Sequence, residues 1–156
     1  MIKIFAQLKN KCNNCKLLLI GDGPNKNKII DIVKELGIDS SVVFLGIRND
    51  VNNILQAADI FVFPSKFEGL GIVAIEAQAA GLPTLCSENI PNEANQTDLF
   101  YKLDLSDDIN FWVNKILELK NKKSELNRID YIQKLKLAGY DAKDSARRLE
   151  DIYLKG

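Results

Sequence analysis

Short apolar runs alternate with stretches of helical spacing along most of the chain. Residues 2–9, IKIFAQLK, set their apolar side chains at helical intervals. KLLLIG (16–21) is a continuous apolar run closed by glycine, the pattern of a strand buried on both faces. DGPNKNKIIDIVKELG (22–37) predicts a turn followed by an amphipathic helix that stops at Gly37. SVVFLG (41–46) repeats the strand pattern, NDVNNILQAA (49–58) predicts a short helix, and DIFVFP (59–64) a third buried strand. A helix is predicted over 71–80, then a fourth strand at LPTLCS (82–87) and a last short one at LFYKLD (99–104). From Ser106 onward the spacing is helical. Ser106 is placed to cap a helix with Asp107 and Asp108 in its first turn, and Ile109, Trp112, Val113, Ile116 and Leu117 form its apolar face. Two further helices are predicted near 122–137 and 141–154.

This alternation predicts an α/β fold, a Rossmann-like parallel sheet with helices on both faces, in one domain over residues 1–156. Ligands of such sheets bind beyond the carboxyl ends of the strands. The loops in that position are 21–25, 46–50, 64–71 and 87–93.

Composition narrows the chemistry. At 156 residues, 46% hydrophobic and 27% charged, the chain reads as an ordinary globular domain. Lys plus Arg and Asp plus Glu both total 21, and zero formal charge argues against a general nucleic-acid binder. No apolar run approaches the roughly 18 residues of a membrane span. The start, MIKIFAQLKNK, lacks the apolar core and cleavage site of a signal peptide, so a cytoplasmic protein is expected. The absence of histidine weighs against Ser-His-Asp hydrolases, Cys-His enzymes and most zinc enzymes. Cys12 and Cys15 form one C-x-x-C with no second pair to complete a zinc site, and read as two thiols in a reducing turn. Cys86 reads as a small core residue. No Walker pattern occurs, and Asp22 and Asp59 form no obvious metal pair.

The loop PSKFEGLG (64–71) carries the most specific pattern. Gly69 and Gly71 suit a backbone that approaches a ligand closely or takes conformations other residues resist. A helix start offers unpaired N–H groups that suit a phosphate. Glu68 precedes that helix and Glu76 lies inside it, and an ionised carboxylate suits a pair of neighbouring sugar hydroxyls. Two plainer roles compete: Glu68 favouring the helix dipole, and Glu76 an exposed helical residue. Glu76 sits in IVAIEAQAA, where burial without a partner is costly, which favours a ligand or a fixed hydrogen bond. GDGP (21–24), with Gly21 and Gly23, either approaches a phosphate or sugar or forms a tight turn. It lacks the third spaced glycine of a dinucleotide fingerprint.

Taken in order, LLLIGDGP, VVFLG and ILQAADIFVFPSKFEGLGIVAIEAQAAGLPTLCSENIPNE resemble the C-terminal half of a family 4 glycosyltransferase of the GT-B fold, over roughly residues 2–120. EAQAAGLP is similar to enzymes of capsular and exopolysaccharide synthesis. The resemblance implies retaining transfer of a sugar from a UDP- or GDP-sugar to a glycan or lipid-linked acceptor, with no metal. It implies that Glu76 binds the ribose and that Glu68, the catalytic candidate, lies near the donor sugar and phosphates. Gly69, Leu70 and Gly71 would support the diphosphate, and Ile47 and Arg48 would lie where the base is held. Gly21, Gly23, Ser65 and Lys66 complete the expected donor site, with Lys66, Asn89 and Asn92 placed to tune the sugar. In the front-face mechanism of that family the leaving phosphate takes the acceptor's proton, so no protein nucleophile is needed. Enzymes of capsular synthesis often meet lipid-linked acceptors at the inner membrane face, which the resemblance allows here, although this half shows no strong basic amphipathic anchor.

The chain departs from the family where one more strand, a glycine-rich turn and an Arg and Lys normally open this half; Lys3, Lys9 and Lys11 do not match that motif. The family's acceptor-binding N-terminal domain is not in residues 1–156 either. A fragment without turnover is therefore expected. KLLLI and DIFVF would pair directly or expose edges for self-association. A non-catalytic nucleotide-sugar-binding module, a nucleotide-sugar epimerase and a nicotinamide-dependent Rossmann enzyme stand as alternatives. The missing histidine weighs against the epimerase, and the missing glycine fingerprint against the dehydrogenase.

Overall fold

The computed structural model describes residues 1–122 and 128–155. Its helices are α1 (Ile2–Lys9), α2 (Lys26–Glu35), α3 (Val51–Ala57), α4 (Ile72–Ala79), α5 (Ile109–Lys122), α6 (Arg128–Leu137) and α7 (Ala142–Lys155). Its strands are β1 (Leu17–Ile20), β2 (Val42–Gly46), β3 (Phe61–Phe63), β4 (Thr84–Ser87) and β5 (Phe100–Leu103). Each apolar run of the sequence contains a strand. Part of the helix expected near 122–137 lies outside the described residues.

All strand pairs are parallel. β1 pairs with β2, with a register shift between Leu19 and Ile20, while β3, β4 and β5 form a separate sheet in that order. The direct pairing of KLLLI with DIFVF does not occur among the described residues. Each of these two strands keeps one unpaired edge.

One apolar layer nevertheless runs beneath both sheets. Ile4, Phe5 and Leu8 of α1, Val33 of α2 and Trp112, Val113, Ile116 and Leu119 of α5 form one buried cluster with Val42 and Leu85. Leu17 and Leu19 of β1 and Ile60 and Val62 pack against it. On the other face α4 contributes Ala74 and Ile75, which pack with Cys86, Ile90 and Ala94 and with Leu135 of α6. β4 is buried at all four positions because it has strands on both sides and helices on both faces. Its Leu85 and Cys86 enter opposite clusters, as the two-residue period of a strand requires. Burial pushes the Cys86 thiol up to about 12, so it behaves as an inert core residue.

Two local expectations change. Helix α5 starts at Ile109, not at Ser106. Asp108 stands just ahead of it, its Oδ1 accepting the Asn110 N–H at 2.7 Å, while the Ser106 N–H is held by Asp104 Oδ1 at 2.7 Å. The carboxylate nearest the helix captures the unpaired amide, and Ser106 is drawn into the preceding turn. Cys12 and Cys15, expected as free thiols, form a disulfide with their Cα atoms 5.7 Å apart. The turn after α1 brings them within bridging distance, since the Cys15 amide donates to the Cys12 carbonyl at 3.3 Å.

Candidate functional site

The loops beyond β1 and β2 are tied to each other. Gly21 has φ 113° and Gly46 φ 66°, both in the region that favours glycine, and the Gly21 amide donates to the Gly46 carbonyl at 2.7 Å. Asp22 closes the next turn: its Oδ1 accepts the Gly23 amide at 2.8 Å, and its Oδ2 pairs with Lys26 Nζ at 3.2 Å. That amide, with Lys26 next, holds the Asp22 carboxyl below the usual aspartate range. Gly23 lies outside the left-handed region, and a Cβ there would meet no atom within 4 Å. A depression of about 270 Å³ beside this turn is lined by Gly21, Asp22, Gly23 and Lys26, among others. A larger one of about 400 Å³, between α1, α2 and the start of α5, is lined by none of the residues expected at a site.

After β2, Ile47 projects into solvent with 83% of its surface exposed. Arg48 turns to Asp50 and donates a two-pronged contact, Nε to Oδ1 at 2.7 Å and Nη2 to Oδ2 at 2.6 Å. This pairing raises the Arg48 guanidinium above its ordinary value and lowers the Asp50 carboxyl.

The loop between β3 and α4 is held carbonyl by carbonyl. Ser87 Oγ donates to the Ser65 carbonyl, and Asn89 Nδ2 to the Lys66 carbonyl at 3.0 Å. Ser65 Oγ lies 3.1 Å from the Phe67 carbonyl and 2.9 Å from Glu68 Oε1, within donating reach of both. Glu68 is thus fixed beside Ser65, whereas Lys66 and Phe67 project outward from a pinned backbone. Asn92 is engaged elsewhere, accepting from Lys102 Nζ at 2.7 Å.

The two glycines of EGLG differ. Gly71 has φ 78°, and a Cβ on it would sit 3.1 Å from Ile90 Cγ2. Conformation and crowding therefore both demand glycine there. Gly69 has neither constraint: its φ lies outside the left-handed region and nothing stands within 4 Å of an added Cβ. Its lack of a side chain leaves open space over the backbone ahead of α4.

Of the two surroundings open to Glu76, α4 shows the exposed one. Glu76 is exposed, and its carboxylate has no hydrogen-bond or ionic partner among the described residues. The small residues near it in sequence, Ala74 and Ala77, are the ones that face inward. Its helical neighbours at i−4 and i−3, Ile72 and Val73, are 61% and 41% exposed. The buried polar residue of the helix is Gln78, which sequence reasoning missed. It donates to the Ala74 and Ala94 carbonyls at 3.0 and 2.7 Å. Its Oε1 accepts from the amides of Gln96 and Thr97 and from Thr97 Oγ1 at 3.0–3.1 Å. A lone glutamine among inward-facing alanines is the signal that marks it.

The model for "Glycosyl transferases group 1" matches residues 1–134. The chain belongs to the group 1 glycosyl transferases. The putative glycosyltransferase EpsF of Bacillus subtilis (strain 168) is 32% identical over 155 residues, 98% of this chain and 40% of that protein. The Escherichia coli UDP-Gal:alpha-D-GlcNAc-diphosphoundecaprenol alpha-1,3-galactosyltransferase is 30% identical over 142 residues, 88% of this chain and 36% of that protein. Among solved structures, WaaG, a glycosyltransferase involved in lipopolysaccharide biosynthesis, matches with a TM-score of 0.72 and 26% identity over 99% of this chain and 42% of that one. The parallel sheets and flanking helices are thus those of GT-B glycosyltransferases. This group 1 chain spans about two fifths of the length of these relatives. No helix among the described residues is long and apolar enough to cross a membrane.

Proposed function

We propose that residues 1–156 form the donor half of a retaining glycosyltransferase, which holds a UDP- or GDP-sugar for transfer to a glycan or lipid-linked acceptor in surface polysaccharide synthesis at the cytoplasmic membrane face. One observation carries the reading: the carboxylate of Glu76, exposed and without a partner among the described residues, framed by exposed Ile72 and Val73, one turn beyond the glycines that open α4. A carboxylate accepts from two neighbouring hydroxyls, and apolar side chains beside it suit the flat face of a nucleoside.

In this reading Glu76 accepts the ribose hydroxyls, and the backbone of Gly69, Leu70 and Gly71 faces the diphosphate at the start of α4. Glu68, held by Ser65, lies beside the donor sugar; Lys66 and Asn89 border it. Ile47 and Arg48 flank the base, and the Gly21–Gly23 turn borders the sugar side. The C–O bond to the diphosphate breaks as the acceptor oxygen bonds to the same face of the anomeric carbon. The departing phosphate takes the acceptor's proton, so no side chain need act as nucleophile. Acceptor contacts come from outside residues 1–156. The E. coli relative's name specifies a diphosphoundecaprenol acceptor, which supports a lipid-linked acceptor here.

Calorimetry of chain 1–156 with UDP, GDP and their hexose and N-acetylhexosamine conjugates tests the donor reading. Saturable one-to-one binding to one nucleotide class is expected, without sugar transfer by this chain alone. No binding to either class refutes the donor site; transfer by the isolated chain refutes the assignment of acceptor contacts to residues outside it.

A further inference from the structure

The turn after α1 carries chemistry that the donor site does not use. Cys12 and Cys15 are bridged across Asn13 and Asn14, both exposed. The two cysteines are half-buried and pack against the cluster that α1 and α5 share. Their surroundings are cationic. The chain has no acidic residue before Asp22, and Lys9, Lys11 and Lys16 flank the pair. Lys9 Nζ donates to the Asn13 carbonyl, Lys11 Nζ to Asn114 Oδ1 of α5 at 2.9 Å, and Lys16 Nζ to the Ser40 carbonyl at 2.7 Å. From α5, Lys120 Nζ reaches Cys12 Sγ at 3.6 Å. Glu118, the acidic residue of α5, pairs with Lys115 at 3.0 Å.

The bridge is not what holds this turn. The amides of Lys11 and Cys12 both donate to the Leu8 carbonyl at 2.9 Å, and the Cys15 amide donates to the Cys12 carbonyl at 3.3 Å. With the Lys11–Asn114 contact, these bonds keep the two sulfurs together whether or not they are joined. A bridge over so short a loop also restrains the unfolded chain less than a long one does. Accessible bridges of this kind are the ones that exchange. We propose that Cys12 and Cys15 form a reversible thiol–disulfide exchange site, open to low-molecular-weight thiols and their disulfides, with Cys12 the sulfur that carries negative charge. A neighbouring ammonium stabilises a thiolate, and a stabilised thiolate leaves faster. In reduction a thiolate attacks Cys15 Sγ; the bridge breaks, a mixed disulfide forms at Cys15, and the electron pair leaves on Cys12 Sγ beside Lys120. A second thiolate attacks the outer sulfur of that mixed disulfide and releases Cys15. Two small thiols thus become one small disulfide, and their protons and two electrons end on the protein dithiol. Oxidation runs the same steps backwards, with Cys12 closing on the mixed disulfide at Cys15. None of these residues belongs to the proposed donor site, so the exchange stands apart from the donor reading.

The test treats folded chain 1–156 with glutathione at several ratios of reduced to oxidised form and reads free thiols by mass after alkylation in native buffer. Reduction and oxidation should reach the same ratio-dependent population with unchanged far-UV circular dichroism, and buried Cys86 should stay unalkylated. In Cys15→Ser, the pH midpoint for alkylation of Cys12 should lie below the free-thiol value of about 8.5. In Cys12→Ser, Cys15 should show a higher midpoint. Lys120→Met should raise the Cys12 midpoint and slow reduction of the bridge about threefold. Four results overturn the proposal: a bridge that glutathione opens only when the chain unfolds, a dithiol that oxidised glutathione does not close, a Cys12 midpoint at or above that of Cys15, or a midpoint and rate that Lys120→Met leaves unchanged.

Discussion

Gln78 donates its side-chain amide to the Ala94 carbonyl at 2.7 Å and so locks α4 to the segment that leads into β5. Both residues are fully buried, and the carboxamide uses both ends: two carbonyls receive its N–H groups, and three donors from Gln96 and Thr97 converge on its oxygen. Replacing it with leucine keeps the volume but strands a carbonyl and several donors in a dry interior. Gln78→Leu should therefore lose about 2–4 kcal/mol of stability, read as a lower urea midpoint at unchanged slope. A loss below about 1 kcal/mol would show that water reaches this site.

Glu76 stands two positions away with the opposite environment. Its carboxylate is exposed and unpartnered among the described residues, so Glu76→Gln should leave the unfolding free energy from urea titration within about 0.5 kcal/mol of the parent. Nucleotide affinity should fall about 10- to 100-fold, the value of a charge-assisted hydrogen-bond pair. Calorimetry with UDP and GDP reads this directly; unchanged affinity in both would remove Glu76 from the site.

These neighbours mark how far the sequence could be read. The strands were legible because each apolar run is short, continuous and closed by a turn residue, as in KLLLIG and DIFVFP. The order of the sheet was legible only in part, since periodicity carries no information about which strands pair; the family resemblance left direct pairing of KLLLI with DIFVF and exposed edges both open, and the fold shows the two strands unpaired with each other among the described residues. Within IVAIEAQAA, composition alone made Glu76 look hemmed in. Which of Glu76 and Gln78 faces inward depends on the rotation of α4, and an eight-residue helix with small side chains on several sides gives a weak signal of that rotation. The Ser106 cap failed for a similar reason: three adjacent polar residues, Ser106, Asp107 and Asp108, compete for one helix start, and their order does not decide the winner.

Gly71 and Gly69 provide a paired test of conformation against access. Gly71→Ala must hold a side chain at φ 78° and press it against Ile90, so it should cost about 1–3 kcal/mol of unfolding free energy, read as a lower urea midpoint. Gly69→Ala meets open space, and should stay within about 0.5 kcal/mol. If the backbone ahead of α4 receives a diphosphate, Gly69→Ala should still weaken binding of UDP or GDP relative to uridine or guanosine. Equal loss for nucleotide and nucleoside would place the diphosphate elsewhere.

Acid should weaken the attachment of α6 through Asp98. Its Oδ1 accepts from Lys134 Nζ at 2.9 Å, and Oδ2 from the Tyr131 hydroxyl at 3.3 Å. The Lys134 contact is the main reason the Asp98 carboxyl sits below its usual range. A carboxyl whose value is lowered by folding stabilises the fold when ionised. The contribution is complete above the unfolded value, about 3.9, and disappears as pH falls through the lower folded one. Asp98→Asn should therefore be less stable than the parent at pH 7, and the two should converge once both parent carboxyl states are protonated. The gap should be modest and shrink in high salt, because Asp98 and Lys134 are 66% and 48% exposed. Tyr131 and Leu135 stay buried and hold α6 in place, so acid weakens the attachment without releasing the helix. Urea titrations of both proteins across the acidic range measure the gap; a constant difference at every pH would assign the effect to packing instead of charge.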